Sequence, residues 1–598
     1  MTPSNGPRHH AATRHLRRLL SVVLAVVLTS TLTALVRPAP AAAAPGDLIL
    51  NGTFDNGSTE PWWTRLASTS TTVNSGQLRI RTSGPASKPT WDDLVGHFEF
   101  GVTAAQPYRL QFDASADVSR SLRVSVSRVD TPFTSAVDQT VALTTTMRRF
   151  TFDFTSPFGD PKAVLLFHLG AHAASTVRLD NISLTPLAID PANDPILYWN
   201  GILLDTFKGL NAGPTVLSRQ AAILHAAMHD AAVSVTGVGN PYRVRVPVSY
   251  PGTMDNVVAP SLHAAIDRAA YDVLTALFSR YGRSFSSALA GAVNRRPSGV
   301  NAAEVARGDT VGAAAAAANL QARTNDGSDN GDAYQLDGVP GSWRPTDEAG
   351  AVTPNWGLVT PFALSSGSQF RPGLPAGAVD YGDLLGKQEY LDQVREVREY
   401  GGKGQSLRTA DQTQIAFFWA NDLPVTYRPP GQLFAHTQIV AKQRKLGILA
   451  NARLFGLVAL ALADAAIAAW DAKYLTTIDL WRPESAIGDG WQPLSQKESG
   501  VSFSPPFPAY VSGHATFAGA WAAVMQRFFG TDAIAFDATT DDPHTVGVVR
   551  HMTGFDHAAQ ENALSRIYLG VHYRFDAEAG LATGRSVGAY VYANRLRP

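Results

Sequence analysis

Three short stretches in the last third of the chain hold the residues best suited to chemistry. The first runs from Trp470-Asp471-Ala472-Lys473 to Trp481-Arg482-Pro483, with eight residues between the lysine and the arginine. The second is Ser512-Gly513-His514, reached through the Pro-rich approach PPFPAYV and followed by the helical run AGAWAAVMQRFF. The third, ENALSRIYLGVHYRFD, supplies Arg566, His572 and Asp576. Together they offer one Lys, two Arg, a Ser-Gly turn at a helix N-terminus and two His. Permanent cations and outward-pointing backbone N–H groups suit a tetrahedral oxyanion. One histidine can bond or attack the central atom while the other serves as acid or base on the opposite side. Each residue alone reads as a helix cap, a surface arginine or a core histidine; the three stretches in order carry the reading.

Positioning these groups makes demands on the elements around them. Arg566 and His572 are six apart, so one straight helix would send them to different faces. Gly570 lets the chain break between them, and both can then enter one pocket. Asp576 follows His572 by one turn, placed to orient it. Residues 446–471 are apolar nearly all round and read as a central buried helix that delivers Lys473. Asp464 within that run must be paired or protonated. Residues 215–235, 262–293, 302–323, 387–400, 410–419 and 432–446 also read as helices. His225, His229 and Asp230 share one of them, but a helical His pair without a third ligand reads as buried, hydrogen-bonded polar residues rather than a metal site. Residues 325–369 are rich in Gly, Asp and Pro and read as an ordered loop or lid over the helices.

The chain has 598 residues, enough for several domains. Fifty basic and fifty acidic residues cancel, and only 17% of residues are charged, which gives no electrostatic case for nucleic acid. Cysteine is absent, which excludes disulfides and thiolate metal sites and leaves N and O ligands for any metal or oxyanion. Residues 1–44 read as an export signal: Arg14, Arg17 and Arg18, an apolar run over 19–36, then alanines 41–44. The Arg pair is compatible with the Sec or the twin-arginine route. The mature chain is expected to be secreted, without a membrane anchor. Residues 45–187 contain short alternating stretches such as LRIRTS, YRLQFDAS, LRVSVSRV and RRFTFDFTS, separated by turns, the pattern of a β-sandwich. Residues 188–598 switch to helical spacing. Trp62, Trp63 and Trp91 are candidates for stacking on sugar rings, with packing in the sandwich core as the other reading of the first two.

Two resemblances follow from these motifs. LILNGTFDNGSTEPWWT and VRLDNISLTPL resemble carbohydrate-binding modules of jelly-roll form, which implies a polysaccharide-binding face and a structural calcium. Lys473…Arg482-Pro483, Ser512-Gly513-His514 and Ser565-Arg566…His572…Asp576 resemble the superfamily joining vanadium-dependent haloperoxidases to type 2 phosphatidic acid phosphatases and acid phosphatases. PPFPAY and ENALSRIYLGVHYRFD are similar to its chloroperoxidase branch. The implied fold is an all-α domain of two four-helix bundles behind the all-β sandwich. The implied cofactor is vanadate, bound to His572, with Lys473, Arg482, Ser512, Gly513 and Arg566 on its oxygens and His514 as acid–base group. Trp470 and Phe507 match positions beside the halide, and Asp422 matches the acid that pairs with the second arginine. Two departures stand out: eight residues rather than six between the Lys and the Arg-Pro, and Val511 in place of Pro before the Ser. The implied activity is oxidation of halide by hydrogen peroxide to hypohalous acid, with a small organic acceptor downstream. Phosphate is isosteric with vanadate, so a phosphatase working through a phosphohistidine remains open, as does a polymer-binding protein whose helical domain has lost activity.

Overall fold

The computed structural model describes residues 47–598 apart from 66–69, 83, 85–88, 105, 130–133, 188–190, 249–260, 298–299, 301, 348–349 and 405. The expected export signal at 1–44 lies outside the described residues. Among the described residues the first domain is built from β1 (Trp62–Arg65), β2 (Thr71–Asn74), β3 (Gln77–Thr82), β4 (Leu94–Val102), β5 (Pro107–Ala116), β6 (Arg120–Ser127), β7 (Ser135–Leu143), β8 (Arg148–Thr155), β9 (Asp160–His168) and β10 (Ser175–Pro186). They pair antiparallel in two five-stranded sheets, β1-β4-β9-β6-β7 and β2-β3-β10-β5-β8. Alternation along each strand sends Phe112, Phe167 and Leu179 inward between the sheets. The outer face of β5 and β8 is polar, crossed by the Arg109–Asp153 and Arg149–Asp113 pairs.

Trp62 and Trp63 point to opposite sides of β1, and the strand period separates their fates. Trp62 is a core residue, in contact with Phe54, His97 and Phe167, and its indole N–H donates to the Asn51 carbonyl at 3.2 Å. It is therefore not a sugar platform. Trp63 lies half-buried across Gly96 on β4, where a Cβ would stand 2.3 Å from the indole. Trp91 falls in a short 3-10 turn, and its side chain lies outside the described part of the structure.

The helical part comprises α1 (Pro195–Lys208), α2 (Pro214–Thr236), α3 (Leu262–Leu277), α4 (Gly282–Val293), α5 (Ala302–Gln321), α6 (Tyr381–Gly386), α7 (Gln388–Tyr400), α8 (Ala410–Phe418), α9 (Arg428–Gln443), α10 (Ile448–Tyr474), α11 (Pro483–Ile487), α12 (Gly513–Phe529), the hairpin β11 (Phe536–Thr539) and β12 (Val549–Met552), α13 (Phe555–Tyr568) and α14 (Arg574–Asn594). The domain opens on an Asp-Pro start signal: Asp194 caps the Ile196 and Leu197 amides and also accepts from Asn451 on α10. Residues 262–293 were expected as one helix but form two. A 3-10 turn at Ser279–Tyr281 separates them, because Arg280 and Tyr281 turn to donate to the Gly209 carbonyl at the end of α1.

Helix α10 packs against α2 on one side and against α12 and α14 on the other, so it is shared between the two bundles. It is long and apolar enough to cross a membrane, but its surface is spent on the protein core. The polar exception, Asp464, accepts the amides of Phe362, Ala363 and Leu364 at 2.6, 2.7 and 2.9 Å. Burial pushes its pKa up, against those three bonds. The expected loop at 325–369 is thus clamped to α10 by one carboxylate. Its Gly357 and Gly367 sit against the helix backbone and side chains near Asp471.

Helices α12 and α14 approach backbone to backbone. Gly580, Gly584 and Gly588 recur every four residues on one face of α14. A Cβ at these positions would come within 2.7, 2.1 and 2.3 Å of the carbonyl oxygens of Ser512, Thr516 and Ala520. This stripe fixes residues 512–520 at the N-terminal half of α12 against residues 580–588 of α14. Gly584→Ala should therefore cost about 1–3 kcal/mol by forced separation of the helices, read as a lowered urea midpoint; an unchanged midpoint would show that the contact tolerates a methyl group.

Candidate active site

The site forms where the C-terminal end of α10, the loop into α11, the N-terminus of α12 and the α13–α14 junction meet. Lys473 lies in the last turn of α10, fully buried, and its ammonium donates to the Pro508 and Ala509 carbonyls at 2.6 and 3.1 Å. The loop of eight residues does not displace Arg482. Its extra length pairs with the insert: the Trp343 amide donates to Asp479 O, and the Trp481 amide to Gly341 O. Arg482 emerges fully buried, donating to the Phe507 carbonyl at 2.7 Å, to the Val571 carbonyl at 2.8 Å and to His572 Nε2 at 3.0 Å. Trp470 and Phe507 are 4.9 Å apart between ring centroids, and the Lys473 ammonium stands 5.1 Å from the Phe507 ring.

Helix α13 ends at Tyr568, Gly570 takes φ +80°, and α14 begins at Arg574. The break brings Arg566 and His572 into one neighbourhood, with Arg566 bonded to Asp422 Oδ2 at 2.9 Å. His572 Nδ1 lies 3.0 Å from Asp576 Oδ2, which also accepts the Tyr573 amide. An arginine can only donate, so the Nε2 atom facing Arg482 must be the acceptor and the ring proton sits on Nδ1. His514, at the second position of α12, has its Nε2 3.0 Å from the Ala420 carbonyl, so there the proton sits on Nε2. Ser512 caps α12 through the Ala515 amide, and its own amide donates to Asp576 O at 2.9 Å, so the turn is anchored despite Val511 in place of Pro. Its hydroxyl hydrogen is still free to donate.

The charges crowd one another. Burial, then Arg482 and Arg566, holds Lys473 well below the ordinary lysine range. Burial brings Arg482 down to about 9 and also lowers Arg566. His514 is pushed down to about 4, first by burial and then by Arg566. His572 falls well below its usual value through burial, Arg482, Lys473 and Arg566. Burial lifts Asp576 to about 7, while His514 and Arg566 overcome burial at Asp422 and lower it. Three buried guanidinium nitrogens, Arg482 Nη2 and Arg566 Nε and Nη1, have no hydrogen-bond partner. Unmet buried donors on cations are costly, and a bound oxyanion would satisfy them.

Residues 453–597 match the family described as the VCPO second helical-bundle domain. Vanadium chloroperoxidase of Curvularia inaequalis is 32% identical over 250 residues, covering 32% of this chain and 41% of that protein. The helical domain is similar in sequence to vanadium chloroperoxidase over this stretch. The matched stretch spans about two fifths of that relative's length. A crystal structure of a bacterial vanadium-dependent iodoperoxidase superposes with a TM-score of 0.55 at 25% identity, covering 69% of this chain and 99% of that one. A holo-type bacterial vanadium-dependent chloroperoxidase gives 0.52 at 18% identity over 65% and 95%, which speaks to the fold alone. Residues 46–176 match a carbohydrate binding domain family.

The residues singled out in the sequence lie on neighbouring elements at this end of the helical domain: Lys473, Arg482, Ser512, Gly513, His514, Arg566, His572, Asp576, Asp422, Trp470 and Phe507. The donor set fits vanadate: unpartnered guanidinium N–H groups, a helix N-terminus and an imidazole lone pair on Nε2. Sequence reasoning missed the carbonyls of Ala420, Phe507 and Val571, which orient His514 and Arg482. It also missed Asp542, which holds the Asn421 amide beside Asp422; the turn signature Asp541-Asp542-Pro543 was its one local trace. The His225 cluster is a separate, structural matter. His225 is wedged between Phe434 and Phe455, and burial lowers its pKa to about 3. His229 meets the Asn240 carbonyl, and Asp230 accepts the Tyr242, Arg243 and Val244 amides. Among the described residues no group of three or more His, Cys, Asp or Glu side chains is arranged to hold a metal ion, in the β domain or elsewhere.

An anion entering the site raises every depressed cation pKa around it, so its binding takes up protons. Sulfate, which does not itself titrate, should bind at pH 8 with net proton uptake, measured by calorimetry in buffers of different ionisation enthalpy. Absence of net uptake would mean that Lys473 is already fully charged in the free site.

Proposed function

We propose that the helical domain is a vanadate-dependent haloperoxidase that oxidises halide with hydrogen peroxide to hypohalous acid, passed on to a small organic acceptor. One observation carries the reading: His572 Nε2, the ring nitrogen without a proton, accepts from Arg482, and Arg482 Nη2 with Arg566 Nε and Nη1 remain buried donors without a partner. His572 would hold the vanadium, while Lys473, Arg482, Arg566, the Ser512 hydroxyl and the Gly513 amide would hold its oxygens. Vanadate there supplies Lewis acidity that activates peroxide without a change of metal oxidation state. The protein's own part follows from its groups. Asp576 keeps the His572 proton on Nδ1, so that Nε2 stays a donor of electrons. His514, neutral near pH 7, can take a proton at Nδ1 while its Nε2–H remains on Ala420 O. Lys473 brings positive charge beside the apolar wall of Phe507 and Trp470, where a weakly hydrated halide is at home and water is not. The similarity to a vanadium chloroperoxidase and to a vanadium-dependent iodoperoxidase supports this reading.

The same His572 tautomer suits a phosphatase, in which Nε2 attacks phosphorus and His514 protonates the leaving oxygen. Trp470 and Phe507 favour the first reading. Purified mature protein with orthovanadate should halogenate a phenol dye in the presence of peroxide and bromide, and His572→Ala should reduce the rate at least about a hundredfold. Hydrolysis of p-nitrophenyl phosphate by vanadate-free protein, without halogenation under any condition, would move the assignment to the phosphatase.

We also propose export of the chain through the segment at 1–44, and polysaccharide binding by the β domain. Support for the second comes from the carbohydrate binding domain match and from Trp63, which lies across Gly96 on the outer face of β1 and β4. The full chain should be retained on an insoluble β-glucan, and Trp63→Ala should weaken retention about tenfold, the scale of one stacked ring; equal retention would remove Trp63 from the binding face.

A further inference from the structure

The chain between α8 and α9 carries two contacts of the site and is itself held in an uncommon conformation. Ala420 O receives His514, and Asp422 pairs with Arg566. Asn421, between them, has φ +41°, and Val425 and Arg428 follow at +64° and +62°. Non-glycine residues in the left-handed region persist where their surroundings dictate it. Here the surroundings come from the connection between β11 and β12. Asp542, with no exposed surface, accepts the Asn421 amide at 3.2 Å on one oxygen, and the His544 amide and ring Nδ1 at 3.0 Å each on the other. The His544 ring in turn stacks on Phe417 of α8 at 4.6 Å. Thr540 accepts from the Asn421 side chain.

We propose that Asp542 is a positioning residue for the acid–base side of the site. By holding the Asn421 amide it fixes the left-handed turn that aims Ala420 O at His514 and the Asp422 carboxylate at Arg566. Removing it frees that turn to relax toward negative φ. Arg566 then loses its anchor, and His514 loses the acceptor that sets its tautomer. Asp542 makes no hydrogen bond to either site histidine or either arginine of the cradle; its charge also favours the Arg566 cation at a distance, and its positioning action passes through Asn421. The inference rests on the oxyanion reading of the site, and its test separates the two.

The test is a double-mutant cycle on the full chain, with inorganic phosphate binding read by calorimetry and folding read by a cooperative thermal melt. Asp542→Ala should weaken phosphate binding about tenfold to a hundredfold, the scale seen when an outer partner of a site ligand is lost. Asn421→Gly takes positive φ without help. In that background, adding Asp542→Ala should change the affinity by less than about threefold, because the turn no longer depends on Asp542. Losses that multiply independently, or an Asp542→Ala affinity within twofold of the parent, would overturn the proposal. Should Asp542→Ala lose its cooperative melt, Asp542→Asn takes its place. It keeps an acceptor for the Asn421 amide without the charge, so an unchanged affinity supports the positioning role and a tenfold loss overturns it. Absence of phosphate and vanadate binding in the parent chain would overturn the oxyanion reading together with the inference.

Discussion

Three cations buried side by side with too few counter-charges set the terms for this structure. Lys473, Arg482 and Arg566 are each almost without exposed surface. Asp422 and Asp576 are the carboxylates in their midst, and burial lifts the second to about 7, so that it carries only part of a charge there. Left alone, such an arrangement is costly, since each desolvated charge loses several kcal/mol of hydration. It persists because covalent geometry and packing elsewhere leave these residues nowhere else to go. The cost is the site's affinity in another form: a multiply charged oxyanion restores hydration-like contacts to donors that the protein leaves unmet.

The scaffold's features make sense as restraints on that crowd. Helix α10 is shared by both bundles and carries Lys473 in its last turn, so the lysine cannot withdraw without moving the core. The glycine stripe on α14 locks α12 at backbone contact, which ties the Ser512 turn to Asp576 within one bond. The insert is stapled to α10 through Asp464, and its residues 341–343 hold the loop that leads to Arg482. A loop two residues longer than the pattern it resembles is accommodated by this pairing, and Arg482 still reaches three acceptors.

The parts legible in the sequence were those whose cause is local. The break at Gly570 could be read because Arg566 and His572 needed to share a pocket and a glycine stood between them. The apolarity of residues 446–471 announced a central helix, and the buried aspartate within it announced a partner without naming the Phe362–Leu364 amides about a hundred residues away. The split of 262–293 was invisible because its cause is the Gly209 carbonyl at the end of another helix. Trp62 and Trp63 are neighbours in sequence, and strand alternation, not residue type, decided that only the second reaches the outer face. Asp542 lay beyond reach for the same reason as Asp464: it acts through a backbone amide more than a hundred residues upstream, and amides leave no mark in composition or periodicity.

The two site histidines are the same residue type in the same electrostatic field, and both are neutral near pH 7. What separates them is the acceptor given to one ring nitrogen. His572, in the break before α14, turns Nδ1–H toward a carboxylate in the first turn of that helix, four residues on, so Nε2 is left electron-rich and aimed at Arg482. His514 turns Nε2–H toward a backbone carbonyl, a weaker partner with no charge, and the Asp422 carboxylate stands 3.9 Å from that same Nε2, beyond hydrogen-bond distance. A carboxylate partner makes an imidazole a better ligand or nucleophile, whereas a carbonyl partner leaves it free to cycle its proton. Exchanging these two acceptors would leave every site residue in place and remove the division of labour, because the roles reside in the hydrogen bonds behind the rings and not in the rings.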